Sequence, residues 1–256
     1  MTKKINLIFC CLLFSLIWLQ PAQAQEAEND GIARVALITA KEGREADLIK
    51  AITEYHHWVA QFEGHHVYQW YEILTGPDTG KYIARTAGHN WADFDADPDW
   101  QNKAGENFQK NVAPHIADVQ ISMTQEMKEF GHWPESFQGY THFQVEDWYI
   151  HNGQYGKFRR GLKTIVDTLK AANVDNYWGF FSIESGAHGN QITFVSANRG
   201  WAGMSPMQPS FLDIMTEAMG SPEAFDTFMS DWSSTFKTGH NRMVKLMPEA
   251  SDYGKQ

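Results

Sequence analysis

Cysteine is nearly absent from this chain, and the two residues present, Cys10 and Cys11, both fall inside an apolar run at the N terminus. The rest of the sequence therefore has no thiol for a disulfide, a thiolate nucleophile or a cysteine zinc site. Other chemical signatures are missing as well: there is no HExxH pair, no serine-nucleophile elbow, no phosphate-cradling glycine loop and no dinucleotide fingerprint. Basic residues are the minority, 21 Lys+Arg against 31 Asp+Glu for a net charge of −10. That balance argues against nucleic acid or anionic lipid as a partner.

The N terminus reads Lys3-Lys4, an apolar stretch from Ile5 to Leu19, then Pro21-Ala22-Gln23-Ala24. This is the pattern of a signal peptide over 1–24 with an A-x-A cleavage site. The stretch is shorter than the roughly 20 residues of a spanning helix, so no membrane insertion is expected after its removal. The expectation is a periplasmic or secreted protein. Without Lys3 and Lys4 its net charge becomes −12, and its core has to stabilise it without disulfides.

What the chain does contain is a repeat. Sliding one half along the other by 110 positions, the separation of Trp91 and Trp201, places Gly43 on Gly153, Ile73 on Ile183, Gly76 on Gly186 and Ala87 on Ala197. A period this long suits a duplicated small domain. In the first copy, alternation and helical spacing predict a strand at 32–39, a helix within 44–63, a hairpin of 67–74 with 81–87, a helix within 100–112 and a strand at 119–127. The second copy repeats the order with 140–150, 154–172, 177–184, 191–197, a helix starting at Ser221-Pro222 and a strand at 242–247. Aligning the final strands requires about 11 further residues in its helical region. The expected organisation is 25–129 as first unit, 130–139 as linker and 140–256 as second unit.

Each copy reads β-α-β-β-α-β, so the fold class is α+β: two ferredoxin-like units packed sheet to sheet as a pseudo-dimeric α/β barrel. With this order, and with Trp91-Ala92 and Trp201-Ala202 opening equivalent segments, the sequence resembles the dimeric α/β-barrel superfamily in tandem single-chain form. The superfamily holds cofactor-free monooxygenases, haem-degrading enzymes, cyclases, dehydratases and proteins without known catalysis. The resemblance implies ligand binding between sheet and helices, with polar residues on a first strand and an aromatic after the third. Carried over, these are Gln144 or Glu146 with Trp201 in the second copy, and Arg34 with Trp91 and His56 in the first. The haem-degrading pattern is not met, because the histidine lies on the first helix and no asparagine holds the strand centre.

Strand alternation groups the remaining candidates. His66, Tyr68, Trp70 and Glu72 share one face, as do His142, Gln144, Glu146 and Trp148. A histidine with a carboxylate on one face suits a general base, which selects His66 with Glu72 and His142 with Glu146 as catalytic candidates. The plain alternative is a solvated barrel rim. His89 and Arg199, two residues before the repeated tryptophans, are placed at matching pocket mouths. The paired histidines His56-His57 and His65-His66 point apart, so no metal site and no cofactor is expected. These readings give an exported monomer or weak homo-oligomer that binds a small aromatic or apolar molecule, with room for cofactor-independent acid/base catalysis of monooxygenase, cyclase or lyase type. The alternative is a noncatalytic binding or structural protein of the cell envelope.

Overall fold

The computed structural model describes residues 29–96 and 98–251, and the expected leader over 1–24 lies outside them. The first half runs β1 (Ile32–Ala40), α1 (Glu45–Val59), β2 (Gln69–Ile73), β3 (Tyr82–His89), α2 (Asp99–Asn111) and β4 (Ile116–Glu126). The second runs β5 (His142–Ile150), α3 (Tyr155–Ala171), β6 (Tyr177–Ser185), β7 (Gln191–Asn198), α4 (Phe211–Met219), α5 (Pro222–Ser233) and β8 (Phe236–Leu246). Local chemistry explains the boundaries. Ser221 caps α5 by accepting from the Ala224 N–H at 3.2 Å, with Pro222 in the first helical position. Helix α1 stops short of the predicted 63 because Gln61 and Phe62 bond the Trp58 and Val59 carbonyls in tight i→i+3 turns. The additional residues of the second half are accommodated by α4, whose Ser210 and Asp213 form a capping box.

The eight strands form one closed antiparallel barrel in the order β1-β3-β2-β8-β5-β7-β6-β4. Within it the first half contributes β4-β1-β3-β2 and the second β8-β5-β7-β6, the same order twice. The halves do more than face each other, since they are hydrogen-bonded edge to edge. At one seam Tyr71 and Ile73 of β2 oppose Leu246 and Val244 of β8. At the other, Thr124 and Glu126 of β4 oppose Ile183 and Phe181 of β6. Strand β8 is longer than the sequence suggests because it pairs with β5 along almost its whole length while its far end joins β2.

Three apolar layers result. Leu48 and Ile52 of α1 pack with Ile38 and Trp70 on the outer face of the first half. Phe158, Leu162 and Ile165 of α3 pack with Trp232 of α5 and Trp148 of β5 on the outer face of the second. Ile73, Phe143, Val145 and Val244 face each other inside the barrel. The segment over 130–139 is more than a connector: His132 bridges Trp178, and the Trp133 indole N–H donates to Glu126 at 2.7 Å. It closes one end of the barrel.

Two glycines aligned by the repeat meet the seams. Gly76 (φ +93°) would place a Cβ 3.1 Å from the Asn241 carbonyl of β8, and Gly186 (φ +86°) 2.1 Å from the Ile121 carbonyl of β4. Left-handed backbone and close approach both demand glycine there. Gly186→Ala is expected to cost more than about 2 kcal/mol, whereas Gly189→Ala, which meets nothing within 4 Å, should stay within about 0.5 kcal/mol. Equal chemical-denaturation midpoints for the two variants would contradict the seam contact. Removing the second half exposes the unpaired edges of β2 and β4, so residues 25–133 expressed alone should aggregate or dimerise. A stable soluble monomer by analytical ultracentrifugation would contradict closure as a requirement.

Candidate functional site

Closure leaves a cavity of about 1440 Å³ running through the barrel. Because strand residues alternate, the inner wall is set by Val35 and Leu37 of β1, Ile83 and Arg85 of β3, Phe143, Val145 and Asp147 of β5, and Val195 of β7. Most of that wall is apolar. Among its polar groups, two sets are built around an arginine. In one, the Asp147 carboxylate, 4% exposed, accepts from Gln191 at 2.9 Å and Thr193 at 3.0 Å and pairs with Arg242 at 3.0 Å. In the other, Arg85 lies 5.2 Å over the Phe181 ring, with Tyr71 and Glu126 as its polar neighbours. Burial lowers the Arg85 pKa, and the nearby Tyr71 and Glu126 oppose that shift.

A different cluster forms on the helix side of the first half. The His66 and His89 rings stand 4.5 Å apart, with Phe94 and Trp100 around His66. His89 Nε2 is 2.7 Å from the Thr86 hydroxyl, and its Nδ1 is 3.7 Å from Asp93. Arg34 and Tyr68 share a hydrogen bond beside them. Both imidazoles titrate below the ordinary histidine range. Burial is the main cause for each; for His66 the neighbouring His89 adds to it, and Asp93 opposes it in both.

The sequence-derived pairing of His66 with Glu72 does not survive in space. Strand β2 begins only at Gln69, so His66 sits in the preceding loop and turns to His89, while Glu72 lies at the other end of the strand opposite Tyr82 and Lys245. Trp70 is a core side chain whose indole N–H donates to His56 Nε2 at 2.7 Å. On the second half, His142 stands beside Thr141 and 5.6 Å from the Trp201 ring, and burial with the Lys245 charge lowers its pKa. Glu146 instead meets Asn241 at 3.4 Å, which in turn accepts from Gln144 at 3.4 Å. His142 and Glu146 thus share a face without touching. Trp91 and Trp201, 45% and 56% exposed, do not line the barrel cavity. Arg199 does not mirror His89: its guanidinium lies 5.1 Å over Tyr140, at the barrel mouth.

Arg85, Asp147 and Arg242 are absent from the sequence candidates, the catalytic members of which lie on the strand faces that carry His66 and His142. One signal was present: Phe143, Val145, Asp147 and Tyr149 alternate, so a carboxylate interrupts an otherwise inward face. Among the described residues no group of His, Cys, Asp and Glu is arranged to hold a metal ion, and no helix is long and apolar enough to cross a membrane.

No protein-family model and no curated protein matches the chain. Solved structures do. A putative monooxygenase from Lactobacillus acidophilus NCFM aligns with 9% identity and a TM-score of 0.53 over 87% of this chain and 98% of that one. A putative monooxygenase from Fusobacterium nucleatum aligns with 11% identity and a TM-score of 0.52 over 89% and 97%. An anthrone oxidase-like protein aligns with 10% identity and a TM-score of 0.50 over 86% and 92%. The chain shares its overall fold with these proteins. Identities this low carry the architecture and no chemistry, so a dimeric α/β barrel can host the interior cavity, the histidine cluster or both.

The histidine cluster has a signature. A histidine whose folded-state pKa lies below its unfolded value binds fewer protons when folded, so its contribution is present above the ordinary value of 6.5 and is lost as pH falls through the folded-state pKa. Thermal stability should therefore drop between about pH 7.5 and pH 5.5, and His66→Gln or His89→Gln should flatten that slope. An unchanged slope in both variants would place the titration elsewhere.

Proposed function

We propose that this protein is an exported small-molecule-binding protein, built as a tandem pair of ferredoxin-like units, that holds an aromatic or apolar ligand inside its barrel. The observation that carries this reading is the cavity of about 1440 Å³ walled by Val35, Ile83, Phe143 and Val195, a half-open, mostly apolar space able to take up a small molecule. Export rests on the leader pattern over 1–24. Intact mass spectrometry of the protein from its native host should give a chain starting at Gln25, and a chain retaining Met1 would contradict export by this route.

Binding is tested by thermal shift with small arenes. A ligand at about 100 times its Kd stabilises the folded state by about 2.7 kcal/mol, and Val195→Trp, which crowds the apolar wall, should reduce that shift. Persistence of the full shift in this variant, with the fold intact by circular dichroism, would place the ligand outside the barrel.

A second reading concerns catalysis and rests on the His66–His89 contact of 4.5 Å beneath Trp100. Two imidazoles held neutral next to a buried hydroxyl are suited to cofactor-independent proton transfer. Once a turnover reaction is found, His89→Gln should remove it while Val195→Trp leaves it intact. The reverse pattern would move the chemistry into the barrel.

A further inference from the structure

We propose that the barrel interior is selective for aromatic carboxylates, with the Arg85 guanidinium binding the carboxylate and the apolar wall enclosing the ring system. The proposal rests on the reading of the barrel as a ligand cavity and adds the charge and chemical class of the ligand.

Two arginines line the same cavity and differ in one respect. Arg242 is matched: Asp147 faces it at 3.0 Å, and Gln191 and Thr193 hold that carboxylate in place. Arg85 is not. It projects from the middle of β3, between Val35 of β1 and Gln69 of β2 in the ladder, and among the described residues it makes no hydrogen bond and no ion pair within 4.0 Å. The carboxylate in its neighbourhood, Glu126, accepts the Trp133 indole N–H at 2.7 Å and offsets part of the Arg85 charge from a distance without forming an ion pair with it. Arg85 is half-buried, and arginine stays protonated even where burial disfavours its charge, so its N–H donors face the cavity as a cation with no carboxylate in hydrogen-bond reach. Such a group is stabilised when an anion arrives.

The ligand's remaining character follows from the surroundings. With the guanidinium lying over the Phe181 ring at 5.2 Å, its edge N–H donors remain for a planar oxyanion, and the fork geometry fits a carboxylate. One unmatched cation suits a singly charged group. Tyr71 and Phe143, in edge contact at 5.5 Å, with Trp133 and Phe181, supply aromatic walls around the apolar stretch, which favours ring systems through stacked and edge-on contacts. An aromatic body with one carboxylate satisfies both halves of the cavity.

The test uses two probes of nearly equal shape, 2-naphthoate and 2-naphthylmethanol, titrated calorimetrically into the purified protein. The native protein should bind naphthoate at least about tenfold more tightly than the alcohol, the span of a charge-assisted hydrogen bond. Arg85→Met should erase that preference while leaving alcohol binding in place, Arg85→Lys should keep part of it, and Val195→Trp should weaken both probes. Without ligand, Arg85→Met should melt at or above the native temperature, which shows that it folds and that the charge is unmatched. An unchanged preference in Arg85→Met overturns the carboxylate proposal and leaves the cavity reading standing. Undiminished binding of both probes to Val195→Trp overturns the cavity reading itself. Failure of naphthoate to bind the native protein at millimolar concentration overturns the carboxylate proposal as well.

Discussion

Closure of the sheet is the constraint on which everything else depends. Each half of this chain ends in two strands whose outer edges carry unpaired backbone groups, β2 and β4 in the first and β6 and β8 in the second. Pairing β2 with β8 and β4 with β6 satisfies all four edges at once. No disulfide contributes in the described residues, which contain no cysteine. The backbone ladder and three apolar layers therefore carry the fold, and an eight-stranded ring of this kind necessarily has an inside.

That inside separates two kinds of chemistry. Outward-facing residues of each strand meet helices, and the histidine cluster of the first half and the polar row of the second lie in that layer. Inward-facing residues meet each other across the barrel, where Asp147 and Arg242 form an ion pair and Arg85 forms none. One-residue alternation decides which compartment a side chain enters. Arg34 and Arg85 show this on paired strands: Arg34 reaches Tyr68 on the helix side, while Arg85, opposite Val35, reaches the cavity.

The architecture was legible because its signals are periodic and local. The glycines at 76 and 186, read as turns, proved to be turns pressed against the opposite half, and Ser221-Pro222 began a helix as its capping chemistry requires. Site geometry was less legible. Sharing a strand face predicts direction but not distance, so His66 and Glu72 were grouped although a loop replaces the first part of the expected strand. His89 and Arg199 occupy equivalent repeat positions but meet different neighbours, Thr86 in one case and Tyr140 in the other. The cavity was illegible for a further reason: sheets expected to pack face against face leave no volume between them, whereas sheets joined at both edges do.

The most direct measurement is the position of a heavy atom on a bound arene. Crystals soaked with 6-bromo-2-naphthoate and measured at the bromine absorption edge should show one anomalous peak inside the barrel, among Ile83, Val195 and Phe143, with the carboxylate turned toward Arg85. A peak on the helix side beside His66 and Trp100, with none in the barrel, would contradict the assignment of the interior as the ligand site.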